Sequence, residues 1–221
     1  MKETLEKILN FWPYLSEVEK QEIVAQTFKV NYESKKIFVH GKDECKGLMI
    51  VNKGRARIYI NSDNGSNGGE ITLYRLLDGD VCILSAACMM KSLDISVSME
   101  LEEDTEFFIL PKGLFLEISN NNIMVKNYLL EEISDKFSSV IWVLNQYIFT
   151  KMAHRLASAL IEHRALGESD DIEITHDTLA RDLGTAREVV TRLLKQFQND
   201  ELVELSRGRI KILDINRLMR I

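Results

Sequence analysis

Between Thr175 and Lys211 the chain spells out two short helices and a basic hairpin, a combination that few folds accommodate. Thr175 suits the N-cap of a first helix, and Leu179 and Leu183 follow it on one face. Small Ala180 falls where a second helix would cross, and Gly184 falls where the intervening turn needs a positive φ. Thr185-Ala186-Arg187-Glu188 reads as a capping box opening a second helix, with Val190, Leu193 and Leu194 on its inner face. Its first turns also carry Arg187, Glu188, Thr191, Arg192 and Lys195. Farther on, Arg207, Arg209 and Lys211 surround Gly208 in a short hairpin. Helix, tight turn, second helix with cations at its start, then a basic wing predict a winged helix-turn-helix, the second helix of which enters the major groove of duplex DNA.

A net charge of −6 argues against a nucleic-acid partner until the charges are located. Residues 1–149 carry 16 Lys and Arg against 22 Asp and Glu, whereas residues 150–221 carry 12 of each. All the surplus acid therefore lies in the first part, and the basic footprint is local to the predicted DNA-contacting stretch. At 221 residues the chain is long enough for two cores. Its first ten residues lack the apolar run of a secretory leader, and no stretch approaches the ~18 apolar residues of a membrane span. Three cysteines, an odd number without framework spacing, do not suit a disulfide-stapled secreted domain. A cytoplasmic protein with no membrane partner is expected.

Short amphipathic helices come first, over roughly residues 2–10 and from the cap-like Ser16 through Val24. From about Phe28 to Leu110 the texture changes to β-branched and aromatic runs at 35–39, 47–51, 55–60, 70–76, 95–100 and 105–110. Turn signals separate them, at His40-Gly41-Lys42-Asp43, Asn52-Lys53-Gly54 and Asp78-Gly79-Asp80, with a polar loop over residues 61–69. About seven strands at this spacing make a small antiparallel barrel or roll. Pro111 ends the β region and one short helix follows. A long helical pattern then runs from about Ile123 to Tyr147, where Leu130, Ile133, Phe137, Val140, Leu144 and Tyr147 alternate steps of three and four. Leu129, Ile141 and Ile148 widen this face, which suits a helix lying on the barrel, a seam between two copies, or both. A further helix over roughly Lys151–His163 leads through Gly167 to the DNA-binding unit. The expected division is a sensor over 1–121, a dimerisation helix and hinge over 122–149, and the winged helix-turn-helix over 150–221.

This order of parts resembles the Crp/Fnr superfamily of bacterial transcription regulators over nearly the whole chain. Residues 78–88, 102–111 and 184–195 carry the likeness, and the last is similar to the family's recognition-helix motif Gly-x-Ser-Arg-Glu-x-Val-x-Arg-x-Leu. The resemblance implies an α+β fold: an N-terminal antiparallel β-roll of the cyclic-nucleotide-binding type (a double-stranded β-helix), a long dimerisation helix and a C-terminal winged helix-turn-helix. It also implies a homodimer on an inverted-repeat operator that converts a signal in the β-roll into DNA affinity, with RNA polymerase as a further partner. In cyclic-AMP-binding members a Gly-Glu-Leu stretch and a downstream Arg-Ser/Thr-Ala triplet hold the phosphate. Here Gly79-Asp80-Val81 stands for the first, and no arginine lies around Ile95-Ser96-Val97. A buried cyclic phosphate would lose its bidentate partner at a cost on the order of several kcal/mol, so cyclic AMP is not the expected ligand. The oxygen-sensing branch holds an iron–sulfur centre on an N-terminal cysteine cluster, and residues 1–30 contain no cysteine.

Arg187, Glu188 and Arg192 match the family's base-reading positions. Arginine bonds bidentately to guanine and glutamate accepts from cytosine N4, each discrimination being worth ~1–3 kcal/mol, so each half-site should contain a G·C core such as TGA or TGTGA. Glu188 either reads cytosine or closes the box to Thr185. Thr191 meets phosphate or a thymine methyl, or simply packs. Thr175 and Thr185 cap their helices and are placed for phosphate, with Ala186 and Lys195 on the same surface. Arg207, Arg209 and Lys211 belong to a wing at the sugar–phosphate backbone. Gly79, Asp80, Val81, Cys82 and Ser85 fall where the family's effector site begins. Cys82 and Cys88 are either small apolar core groups or a thiol switch or metal site, and Cys45 sits in a turn as the more exposed thiol. His40, His154, His163 and His176 form no metal spacing. No nucleophile–base pair, P-loop or metal set marks an enzyme. The expected function is an effector-gated transcription factor hinged near Tyr147–Lys151; the alternative is a ligand-binding or thiol-redox module with a secondary DNA-binding role.

Overall fold

The computed structural model describes residues 1–39, 47–61, 69–82 and 97–221. They form two compact units, one of residues 1–59 with 73–141 and the other of residues 60–72 with 142–221. The turn at 40–43, Cys45, Ser85, Cys88 and most of the polar loop at 61–69 lie outside the described residues.

The first unit opens with helix α1 (Lys2–Ile8), a 3₁₀ turn (Trp12–Tyr14) and helix α2 (Glu17–Gln26). Ser16 starts α2 through a true capping box: its hydroxyl accepts from the Glu19 amide, and its own amide donates to the Glu19 carboxylate at 2.7 Å. Strands β1 (Phe28–Tyr32), β2 (Ile37–Val39), β3 (Gly47–Lys53), β4 (Ala56–Asn61), β5 (Glu70–Leu76), β6 (Val97–Leu101) and β7 (Thr105–Pro111) follow. They build one sheet in the order β1-β7-β3 and another in the order β2-β6-β4-β5. β7 is central in the first sheet, antiparallel to both neighbours, and its residues 107–110 are buried on both faces. Phe108 and Leu110 join a core with Leu5, Leu9, Ile23 and Phe115, while Phe107 meets Tyr32, which meets Phe38 of β2 edge-on. A strand covered on both sides reads as a continuous apolar run, hence Phe-Phe-Ile-Leu rather than alternation.

Helix α3 (Lys112–Asn121) and helix α4 (Ile123–Phe149) are divided at Asn122, whose side-chain amide donates to the Tyr14 carbonyl and whose Oδ1 accepts from the Met124 amide. Val125, Tyr128 and Leu129 of α4 are buried in the first core and Ile133 packs against it. Leu130 and, beyond Ile133, Phe137, Ile141, Leu144 and Ile148 are exposed, Phe137 at 64% and Ile148 at 61%.

The roll also contains charge placed by strand neighbourhood alone. Arg57 of β4 is almost fully buried, pairs with Glu100 of β6 at 2.9 Å and stacks over Tyr59. Glu102 takes both Arg75 and Arg55. A buried guanidinium is tolerable only with such partners.

The second unit holds helix α5 (Met152–Gly167), strand β8 (Asp171–Glu173), helices α6 (His176–Asp182) and α7 (Arg187–Asn199), strands β9 (Val203–Ser206) and β10 (Arg209–Ile212), and helix α8 (Ile215–Leu218). Its sheet runs β8-β10-β9, antiparallel throughout, so the expected two-stranded wing is three-stranded. Leu156, Leu160, Leu179, Val190, Leu194, Phe197 and Ile210 form its core. No helix among the described residues is long and apolar enough to cross a membrane.

Candidate DNA interface

Thr175 caps α6, its hydroxyl accepting from the Thr178 amide at 3.1 Å. The helix ends at Asp182, and Gly184 takes φ +56° in the turn that follows. The Thr185 amide donates to the Ala180 carbonyl at 3.0 Å, which folds the chain back toward α7. That bond corrects the expected capping box. Thr185 belongs to the turn, α7 begins one residue later, and the N-cap is Ala186, which has no side-chain oxygen to offer. The third helical position passes to Val189, so Glu188 closes no box and stands exposed. Where the family motif has serine, this chain has Ala186, and the first amides of α7 lack a side-chain cap.

Leu179, Ala180, Leu183, Val190 and Leu194 are buried, as their spacing predicted; Leu193 is only partly buried, and Phe197, which that spacing did not include, joins the same core. The opposite side of α7 is an open concavity lined by Arg187, Glu188, Thr191, Arg192 and Lys195 together with Gln196 and Asn199. The last two were not expected as site residues; continuing the same face by four residues from Arg192 and from Lys195 would have found them. Arg187 lies 3.4 Å from the Asp177 carboxylate of α6, both exposed. His176 Nδ1 lies 2.9 Å from the Thr191 hydroxyl, and the ring is held below the ordinary imidazole range, first by burial and then by the Arg187 cation, with Asp177 opposing.

The turn itself is supported by polar groups that local spacing did not announce. Arg155 is buried, donates to the Leu183 carbonyl at 2.6 Å and stacks 3.5 Å from the Tyr147 ring centre. Tyr147, placed by its spacing on the dimer seam, instead contacts Arg155, and burial is the main cause that pushes its phenol above the usual range. Asp182, also buried, accepts from the Thr72 hydroxyl at 2.8 Å and bonds His163 Nε2 at 2.9 Å. Ile71 bridges to Leu183 in the same unit.

In the wing, Gly208 at φ +74° turns β9 into β10. Arg209 is drawn onto β8, where it pairs with Glu173 and, at 3.4 Å, with Asp171. Arg207 and Lys211 are exposed. Of the expected effector residues, Gly79 takes φ +91°, Asp80 accepts from the Leu77 amide at 2.8 Å and lies 3.9 Å from Lys136 Nζ, and Val81 bridges to Ile50. Cys82 is buried, with its amide donating to the Met49 carbonyl. Tyr74 nearby has its phenol pushed far up, by burial first and then by Cys82 and Asp80. Among the described residues no group of three or more His, Cys, Asp or Glu is arranged to hold a metal ion.

Comparison with known proteins agrees with this geometry. Residues 29–122 match the model of the cyclic nucleotide-binding domain, and residues 154–221 match that of the Crp-like helix-turn-helix domain. A solved crp/fnr-family protein of Eubacterium rectale is 38% identical, with a TM-score of 0.89 over 98% of this chain and 100% of that one. The cyclic AMP receptor protein of Thermus thermophilus is 26% identical over 180 residues, 81% of each chain. The c-di-GMP-responsive regulator CLP of Xanthomonas campestris, at 15% identity and a TM-score of 0.75 over 90% of this chain and 100% of that one, shares the fold. With both domain models matched in order and 38% identity over nearly its whole length, the chain belongs to the Crp/Fnr family of DNA-binding transcription regulators.

Proposed function

We propose that the protein works as a homodimer on an inverted-repeat operator, with Arg187, Glu188 and Arg192 reading base edges and Arg207 and Lys211 of the wing on the phosphate backbone. The observation that carries this assignment is the solvent-facing concavity of α7, where three cations and one carboxylate stand over a buried helix-turn-helix core. A major groove demands such a surface: guanidinium forks for guanine, a carboxylate for cytosine N4 and flanking cations for phosphate. Arg209 is reassigned from a phosphate contact to the residue that fastens the wing to β8.

The second copy packs along α4. Leu130, Phe137, Leu144 and Ile148 leave exposed apolar surface along this helix in the single chain, and a monomer rarely leaves a stripe of that size uncovered. Ile133 and Tyr147 contribute less, since each has a partner within its own chain.

The signal enters the roll beside Gly79, Asp80 and Cys82 and shifts the population between DNA-competent and incompetent arrangements. Cyclic AMP is not that signal. The Thermus thermophilus relative is named for it, but this chain has no arginine between Arg75 and Arg155. The protein is a regulator rather than an enzyme, acts in the cytoplasm and works with RNA polymerase. Selection from random duplex DNA tests the core of the proposal. Recovery of an inverted repeat with G·C-containing half-sites is expected, and Arg192→Ala should relax one position of each half-site by ~1–3 kcal/mol. Full discrimination by that variant would refute the base-reading assignment.

A further inference from the structure

Thr191 stands in the DNA-facing concavity of α7, yet its hydroxyl already has a protein partner: His176 Nδ1, 2.9 Å away on α6. The ring is half-buried at the head of α6. The charged groups facing it are Asp177 of its own helix and Arg187 of α7, which also lie 3.4 Å from each other. One imidazole thus sits among the threonine, the arginine and the carboxylate that head the recognition surface.

A threonine hydroxyl has a single proton, and the ring decides where it points. A neutral imidazole with its proton on Nε2 presents a lone pair at Nδ1 and takes the Thr191 proton inward. The oxygen then offers DNA only acceptor capacity. An imidazolium, or the neutral tautomer with its proton on Nδ1, donates to Thr191 Oγ1 and frees the hydroxyl proton to point outward; of these two only the imidazolium also carries a positive charge toward the phosphates. Phosphate oxygens, guanine O6 and N7 and thymine O4 are acceptors, so the outward donor is the form that duplex DNA meets best. We propose that His176 sets specificity at the DNA interface: through Nδ1 it fixes whether Thr191 meets the duplex as acceptor or donor, and because the phosphates favour the charged donating form over the neutral one, binding to a DNA acceptor takes up solvent protons. No covalent bond changes; the proton comes from water and rests on the imidazole.

This inference rests on α7 being the DNA-contacting helix. DNA then raises the affinity of His176 for its proton, so binding strengthens as pH falls through the window between the free and bound values. Burial first and then Arg187 hold the free value below the ordinary imidazole range, so the window opens on the acid side of that range. Within it the linkage limit is about tenfold in affinity per pH unit for each proton taken up.

The probe is a duplex selected from random sequence by the wild-type chain at pH 6.0 and again at pH 8.0. Its affinity for the full-length protein is then followed by fluorescence anisotropy from pH 5.5 to 8.0. Wild type should bind more tightly as pH falls, and both His176→Gln and Thr191→Val should flatten that slope. Thr191→Val keeps the ring and removes only the hydroxyl, and its surface position spares the fold if the histidine variant proves unstable. Equal slopes in all three proteins would overturn the proposal. So would a slope lost with His176→Gln but retained by Thr191→Val, since that pattern means plain charge attraction. Recovery of no sequence at either pH would overturn the DNA-contacting role of α7 and the proposal with it, an outcome distinct from flat slopes on a recovered duplex.

Discussion

Gly184→Ala probes whether the turn of the helix-turn-helix is built as tightly as it looks. At φ +56° an L residue incurs a backbone cost of ~1–2 kcal/mol. The new Cβ would also press on the Tyr147 hydroxyl and lie 2.7 Å from Ile71 Cγ1 and 3.2 Å from the Glu70 carbonyl. Tyr147 cannot swing away freely, because Arg155 stacks on it at 3.5 Å and is itself tied to the Leu183 carbonyl. Overpacking of this kind costs ~1–3 kcal/mol. Against both stands the ~0.4–1 kcal/mol gained by restricting the unfolded chain. The net expectation is a loss of about 3 kcal/mol, or roughly a hundredfold in protection. Hydrogen exchange at the amides of Val190, Leu194 and Phe197 is the suitable assay, since all three lie in the core of the second unit. In a Tyr147→Phe background the same substitution should cost about 1 kcal/mol less, because the nearest atom is gone. A Gly184→Ala loss below about 0.5 kcal/mol would refute the account of the turn, and equal costs in the two backgrounds would show that the Tyr147 hydroxyl adds nothing, leaving backbone strain and the Ile71 and Glu70 contacts to carry it.

Four further outcomes follow from individual residues. Ala186→Ser should stabilise the second unit by ~0.5–2 kcal/mol in urea denaturation, because it supplies α7 with the N-cap oxygen it lacks. Phe137→Glu together with Leu144→Glu should convert the dimer to monomer in sedimentation equilibrium, raising its Kd by at least about a hundredfold through desolvation of two carboxylates. Lys211→Gln should weaken DNA binding evenly across sequences and lower the salt slope by about one, whereas Arg209→Gln should cost affinity with less change in slope, being tied to Asp171 and Glu173. Because burial and then Arg187 depress the proton affinity of folded His176, the unfolded chain binds that proton more readily. The associated stability is complete above the unfolded value of about 6.5 and is lost as pH falls from there through the lower folded value, so His176→Gln should flatten the acid side of the urea-midpoint profile of the free protein.

The parts of the interface that sequence disclosed are those whose causes lie within a few residues. Leu179, Ala180, Gly184, Val190 and Leu194 are constrained by helix period and turn geometry, and all took their expected places. The capping box failed for an equally local reason that pattern matching does not weigh. One backbone bond, Thr185 to Ala180, claimed the threonine for the turn and moved the helix start to Ala186. Asp182 was out of reach altogether, because its partners Thr72 and His163 lie 110 and 19 residues away. The same holds for Arg209, whose acids sit on a strand 36 and 38 residues earlier. A charged residue announces its charge in sequence but not its partner, and the partner decides whether it meets DNA or holds a sheet together.

The long helix shows the same limit in apolar residues. Leu129 and Leu130 are adjacent and equally apolar, yet Leu129 is 3% exposed in the first core and Leu130 is 56% exposed. Adjacent residues on a helix point about 100° apart, so one turn can serve two surfaces, and hydropathy alone cannot divide them. The heptad rule joined Ile133 and Phe137 into one seam because they are four apart; packing separates them, since Ile133 lies against the core and Phe137 does not. The division falls where the core ends. Val125, Tyr128, Leu129 and Ile133 are held by the chain's own core, whereas Leu130 and the exposed apolar residues from Phe137 to Ile148 need another surface to cover them. Substitutions at Val125, Tyr128, Leu129 and Ile133 should therefore register in folding stability whether or not the chain is dimeric. Those at Phe137 and Leu144 should register mainly through protein concentration, since in the proposed dimer the second copy would bury them.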